Sequence, residues 1–347
     1  MYGRQKSFFG NAVLSVLSFF YTVAISVRFL GYRLGWLTSK ELPCPVISIG
    51  NITLGGTGKT PAVISIAKFF YGQGRQPVVV SRGYGRENES DVVVVSDGVT
   101  VCAKPALCGD EPILIASNLS GVPVIIGKKR YYAATSALNR FRSKIVILDD
   151  GFQHVQLRRK LDIVLIDATD PFGNGKLFPA GILREPLSTL KRAHAVLITR
   201  TDQGTDVPAL KKVIERNTSA RIFTSRMVPC DLLNIATGET RSLAILQGAK
   251  VLAFSGIARP ASFAALLKAL GASIEDDQVF PDHYNFTQED LDRLYHVAKE
   301  KKVDHILTTE KDAVKIKHFG SSNILALRIT LFVDQQQEWE SFLLQSI

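Results

Sequence analysis

The sequence predicts an α/β protein: a doubly wound α/β/α domain carrying a phosphate loop, followed by a second, smaller α/β unit. Three observations predict this. Short apolar strand candidates alternate with helical stretches along most of the chain, the arrangement that produces a parallel sheet. A glycine-rich loop joins the first of these strands to a helix, and a later apolar strand ends in two acids, Asp149 and Asp150. At 347 residues the chain is long enough for two cores. With 46% hydrophobic and 21% charged residues it is not a largely disordered chain. A formal net charge of +10 calls for an acidic partner, whether nucleic acid, an anionic lipid surface or a phosphorylated substrate. The four cysteines, Cys44, Cys102, Cys108 and Cys230, form no CxxC pair and read as reduced thiols of a cytosolic setting.

Residues 1–37 come first. Between positions 8 and 27 there is no charge, while Arg4 and Lys6 precede the run and Arg28 and Arg33 follow it. The readings that compete are a signal peptide, a spanning helix, an interfacial helix and a buried core helix. No small-residue cleavage site separates the run from the phosphate loop, and its length is borderline for a span. Arg28, Tyr32, Arg33 and Trp36 suit a headgroup layer. The segment is therefore expected to associate with a membrane by lying on it.

The organising stretch is Val46-Ile-Ser-Ile-Gly-Asn-Ile-Thr-Leu-Gly-Gly-Thr-Gly-Lys-Thr60. It reads as a buried strand, a loop and a helix beginning near Thr60. Gly55, Gly56 and Gly58 permit a backbone that turns its N–H groups inward onto phosphate, and Thr53 and Thr57 lie in the same loop. The helix N-terminus adds a favourable dipole. Lys59 is expected to reach the terminal phosphates of ATP and the Thr60 hydroxyl to ligate Mg²⁺. Thr53 stands where the strict motif has glycine. A loop of this kind works on cytosolic nucleotide, which places residues 1–37 on the cytoplasmic face of the membrane.

Residues 76–80 form the next strand candidate, ending in Ser81-Arg-Gly-Tyr-Gly-Arg86, a basic loop suited to anions. Residues 91–96 and 99–103, joined at Asp97-Gly98, predict a β-hairpin. Gly109-Asp-Glu-Pro112 precedes an apolar helix over 113–119. Its two acids fit either helix capping or, for Asp110, a base facing an acceptor hydroxyl. Residues 122–126 are a strand followed by Lys128, Lys129 and Arg130. The strand over 144–150 ends in Asp149 and Asp150, where carboxylates can hold Mg²⁺, and Gln153 and His154 come just after. Two more strands are expected over 162–167 and 195–199. The second ends in Thr199-Arg-Thr-Asp202, which resembles a GTPase base-recognition motif with arginine for lysine. A GTPase-type or metal-delivery switch is thus the alternative reading.

The pattern then changes. Residues 38–225 are assigned to the phosphate-loop domain, 226–250 to a strand-like linker and 251–347 to the smaller α/β unit. Strands are expected over 250–255 and 305–309, and helices over 261–270 and 289–299. Pro281-Asp-His-Tyr284 is the polar spot of this unit, and Thr309-Glu-Lys-Asp-Ala-Val-Lys315 its second motif.

In their order, these motifs resemble the tetraacyldisaccharide 4'-kinase family over essentially the whole chain, with Leu148-Asp-Asp-Gly-Phe-Gln-His154 and Gly181-Ile-Leu-Arg-Glu-Pro186 completing the set. The resemblance implies two α/β/α domains joined by a two-stranded linker. It implies transfer of the γ-phosphate of MgATP to the 4'-hydroxyl of a tetraacylated disaccharide 1-phosphate, giving lipid IVA at the inner membrane of a Gram-negative bacterium. It also implies Asp110 as catalytic base paired with His283, Lys59 and Thr60 on phosphate and metal with Asp149 and Asp150 nearby, and Arg130, Gln153, His154 and Arg184 lining the substrate site. An anionic acylated sugar accounts for the basic balance and the apolar amino terminus together, so no nucleic-acid partner is expected.

Overall fold

The structure, a computed structural model, describes residues 8–83, 92–102, 105–203, 206–320 and 323–347. Arg4 and Lys6, positions 84–86 of the basic loop, and positions 91 and 103 of the expected hairpin lie outside them.

Helix α1 (Phe8–Arg33) precedes an alternation of β1 (Val46–Asn51), α2 (Lys59–Gly72), β2 (Pro77–Ser81) and β3 (Val93–Ser96). Next come α3 (Pro105–Cys108), α4 (Asp110–Ser117), β4 (Val124–Ile126), α5 (Arg130–Phe141), β5 (Ile145–Asp149) and β6 (Leu161–Asp167). The first half closes with β7 (Ala195–Thr199), α6 (Val207–Glu215) and the long β8 (Arg221–Asn234). The second half runs through β9 (Thr240–Arg241), β10 (Lys250–Ser255), α7 (Pro260–Ala269), β11 (Ser273–Val279) and α8 (Gln288–Glu300). It ends with β12 (His305–Thr309), α9 (Glu310–Ile316), β13 (Ile324–Val333) and α10 (Gln336–Gln345).

Strands β1, β5, β6 and β7 are buried along their whole length, as parallel strands covered on both faces must be. The described strands follow one hydrogen-bonded path, β11-β10-β12-β13-β8-β7-β6-β1-β5-β2-β4-β3, with β9 on β8. The path changes character at β8. Its first residues pair in parallel with β7, Arg221 opposite Ala195, and the rest pairs antiparallel with β13, Ser225 opposite Val333. The doubly wound sheet of the first half therefore continues into a smaller sheet through two long crossing strands.

Several expectations change. The hairpin's second arm is short: Val101 bridges Ser96 in the antiparallel sense, and the Cys102 N–H donates to the Val95 carbonyl at 2.8 Å. The Asp97 carboxylate takes the N–H groups of Val99 and Thr100 into the turn between the arms, and β3 also pairs with β4. The apolar helix begins at Asp110 itself, three residues earlier than its apolar run. Strand β11 has no apolar run to announce it: its sequence, SIEDDQV, belongs to an edge strand that alternates between half-buried and exposed positions. The last helix, expected within the smaller unit, packs against the first. Trp339 meets Phe223 edge-on with ring centroids 4.9 Å apart, and Trp339, Phe342 and Leu343 join the core built on α2.

Helix α1 is inverted in polarity. Val13, Val16, Leu17, Phe19, Phe20, Val23, Val27 and Leu30 are exposed. Its polar groups face the body: Ser18 donates to the Leu177 carbonyl at 2.9 Å, Tyr21 to that of Arg184 at 3.0 Å, and Arg28 to that of Gln153 at 3.0 Å. The core-helix alternative is excluded by this, because such a helix buries its apolar side chains.

Candidate active site

The phosphate loop leaves β1 at Asn51. Its first residues are clamped from outside: Thr53 forms a bridge with Leu183, and the Leu54 N–H donates to the Ile182 carbonyl at 2.7 Å. Thr53 therefore sits in paired backbone where glycine is not required, which explains its place in the motif. Gly55 and Gly58 take φ of 106° and 87°, the left-handed region that a side chain disfavours. At Gly58 a Cβ would also fall 2.3 Å from the Met227 Cε. Gly58 caps α2, so the helix starts at Lys59 and its free N–H groups open on the loop.

The ends of β6 and β7 brace this loop. The Thr199 hydroxyl donates to the Thr57 carbonyl at 3.0 Å, and Arg200 donates to that of Gly56 at 3.0 Å while pairing with the buried Asp167. Arg259, from the second half, pairs with the same Asp167 at 3.1 Å. The GTPase reading of Thr199-Arg-Thr-Asp202 is corrected accordingly: Arg200 is engaged by the loop's own backbone and by Asp167.

Lys59 Nζ lies 3.8 Å from Asp150 Oδ1, and Arg184 holds Asp150 through both carboxylate oxygens at 2.8 and 3.1 Å. Burial pushes the Asp150 carboxyl up, but Lys59 and Arg184 outweigh it and hold it below the ordinary range. Asp149 behaves oppositely. Burial, with Glu111 and Asp150 close by, raises its carboxyl above the ordinary range against the Ser81 hydroxyl, which donates at 2.7 Å. A divalent cation beside Asp149 would relieve that strain.

Among the described residues no three His, Cys, Asp or Glu side chains converge as a metal cage. Mg²⁺ fits this donor set nonetheless, because it takes one or two carboxylates together with phosphate oxygens and waters. The buried Thr57 hydroxyl, the Gln153 Oε1 and the Nε of Arg130 and Arg184 lack a partner. Unpaired buried polar groups are costly, and a polar ligand would satisfy them. Gln153 Nε2 is committed to the Asn51 carbonyl at 2.9 Å. Burial, then Arg130, Arg159, Arg28 and Arg82, lower His154 to about 4, so it is neutral near pH 7.

The second cluster joins distant segments. Asp110 opens α4, and its Oδ2 is 3.7 Å from His283 Nδ1 and 3.7 Å from Lys315 Nζ. Burial pushes Asp110 up, but His283, Lys315 and Lys311 outweigh it, keeping the carboxyl below its ordinary range and ionised. Its neighbour Glu111 helps to raise the Asp149 carboxyl, which puts this cluster near the acidic end of β5. The structure thus brings Asp110 to His283 and Lys59 to Asp150, and Arg130, His154 and Arg184 near them. The sequence reading named the motifs that carry Glu111, Lys311 and Lys315 but gave these three residues no role in the site. A signal for the lysines exists, since four residues separate them on one short helix.

A phosphate-binding loop with its lysine, an acidic strand end and a separate ionised carboxylate, all at the carboxyl edge of a doubly wound sheet, define a phosphate-loop kinase. The chain belongs to the tetraacyldisaccharide-1-P 4'-kinase family, whose model matches residues 10–347. A tetraacyldisaccharide 4'-kinase of Syntrophus aciditrophicus is 39% identical over 344 residues, covering 96% of this chain and 92% of the relative. One from Halothermothrix orenii is 41% identical, covering 92% and 87%. The crystal structure of LpxK from Aquifex aeolicus in complex with ATP superposes with a TM-score of 0.80 at 32% identity, covering 97% of this chain and 99% of that one.

Proposed function

We propose that this kinase transfers the γ-phosphate of ATP to the 4'-hydroxyl of tetraacyldisaccharide 1-phosphate, giving lipid IVA, with Asp110 as the base. The observation that carries the residue roles is the meeting of Asp110 with His283 at 3.7 Å, from opposite halves of the chain. Phosphoryl transfer asks for positioning and charge neutralisation more than covalent chemistry. Asp110 accepts the proton of the 4'-hydroxyl as its oxygen bonds to the γ-phosphorus and ADP leaves. Lys59 and the loop N–H groups stabilise charge on the phosphates. Mg²⁺, when bound, neutralises further phosphate charge, and the Thr60 hydroxyl, Asp149 and Asp150 are the donors that would hold it. Arg130, Gln153, His154 and Arg184 form the cationic and polar wall for the acceptor.

Helix α1 carries the membrane part of this reading. Its outward apolar face suits the acyl layer on the cytoplasmic side, with the exposed Arg33 at headgroup level. An acylated acceptor need not then leave the bilayer to reach the site. The test is purified protein with MgATP and the disaccharide 1-phosphate in mixed micelles. The expected result is a doubly phosphorylated disaccharide; ATP hydrolysis with no phosphorylated lipid, or a preference for GTP, would overturn the reading.

A further inference from the structure

The motif Thr309-Glu-Lys-Asp-Ala-Val-Lys315 sends one lysine to each member of the Asp110–His283 pair. Lys315 Nζ lies 3.7 Å from Asp110 Oδ2 and 3.4 Å from Asp312 Oδ1. Lys311 Nζ lies 3.2 Å from His283 Nε2 and 3.0 Å from Asp282 Oδ1. Both placements are anchored. Asp312, fully buried, accepts from the Gly256 N–H at 3.0 Å and the Thr309 hydroxyl at 2.7 Å, which fixes the start of α9 against the end of β10. The turn bearing His283 is pinned to that same point, for the His283 N–H reaches the Gly256 carbonyl at 3.2 Å and Asp282 Oδ1 at 3.0 Å.

An ammonium group has three donors and no acceptor, whereas a neutral imidazole has one nitrogen of each kind. A ring nitrogen 3.2 Å from Lys311 Nζ must therefore present its lone pair. That makes Nε2 the acceptor and puts the single ring proton on Nδ1, the nitrogen that faces Asp110. The reverse tautomer would set N–H against ammonium on one side and lone pair against carboxylate on the other. We propose that Lys311 is a positioning residue that holds His283 as its Nδ1–H tautomer, so that the ring donates to Asp110 and orients the carboxylate toward the acceptor hydroxyl. This rests on the reading of Asp110 and His283 as the base and its orienter. It assigns Lys311 no contact with the reacting atoms.

The full-length protein, labelled with ¹⁵N-histidine, tests this in micelles by two-bond ¹H–¹⁵N correlation, with His283 identified by its loss in His283→Gln. The wild-type signal is expected to show Nδ1 protonated and Nε2 bare. In Lys311→Met, Nε2 gains a proton and kcat falls about 10-fold or more, while KM for ATP is unchanged. Lys311→Arg, which keeps a donor, restores the tautomer and most of the rate. A wild-type proton on Nε2 would overturn the proposal. So would a Lys311→Met protein that keeps the tautomer, or that loses it without loss of kcat. Full turnover by Asp110→Asn would instead remove the dyad reading, and the tautomer measurement stands apart from that result.

Discussion

The phosphate loop takes its shape from consecutive residues, 53–60, with glycines at the two positive-φ positions and a helix start that supplies its own N–H groups. The Asp110 cluster draws instead on the start of α4, the turn after β11, and α9, and its members meet only because β8 and β13 cross between the two sheets. A site of the first kind carries its backbone shape in its own strand and helix, and neighbouring segments only brace it. One of the second kind depends on how two halves of the molecule sit together, and its members should fail as a unit.

The largest expected effect tests that unit. Asp110→Ala should lower kcat about 10²–10⁴-fold, the usual contribution of a general base. His283→Ala should lower it as well, and the double variant should be little worse than Asp110→Ala, because groups that act together are strongly non-additive. ATP affinity should hardly change. Multiplicative losses in a micelle assay would show the two side chains acting separately. Lys59→Ala comes next, with an expected loss of about 10²–10³-fold from one preorganised contact to developing charge. Combined with His283→Ala its loss should be close to multiplicative, since loop and cluster are built independently. Strong non-additivity in that pair would dissolve the distinction between the two regions.

Helix α1 is a third case, local in sequence yet inverted in structure. Leu17→Asp with Phe20→Asp should weaken binding to anionic vesicles about 10–100-fold, from the apolar area lost to the lipid, and leave the melting temperature unchanged. Equal cosedimentation of the variant would rule out the membrane role. A smaller effect concerns His154. Its folded form stays neutral down to about 4, whereas in the unfolded chain it takes a proton near its ordinary 6.5. Its contribution is therefore intact above about pH 6.5 and is lost as pH falls toward 4, by about 3 kcal/mol in all. Urea unfolding between pH 7.5 and 4.5 should show the wild type losing most of that relative to His154→Gln. Parallel losses would place the acid sensitivity elsewhere.

Contiguous features were legible in the sequence. The strands at 195–199, 250–255 and 305–309 match the structure residue for residue, because each holds a buried apolar run at its centre. Strand β11 was not legible, since an edge strand needs no such run. The acidic end of β5 pointed to Asp149 and Asp150, but not to their opposite charge tendencies. Those follow from Lys59 and Arg184 on one carboxylate and burial near Glu111 on the other.

Residue identity and spacing by themselves determined the fold class, the phosphate loop and the apolar nature of residues 1–37, because periodicity, glycine freedom and apolar runs act over a few neighbouring residues. Only the tertiary structure decided which lysine reaches which member of the Asp110–His283 pair, that Arg200 braces the loop, and that α1 turns its apolar face outward. The physical reason is distance: hydrogen bonds and ion pairs act over a few ångströms, and Lys311, His283 and Asp110 come that close only through the packing of α4 against α9 and the pinning of the His283 turn on Gly256.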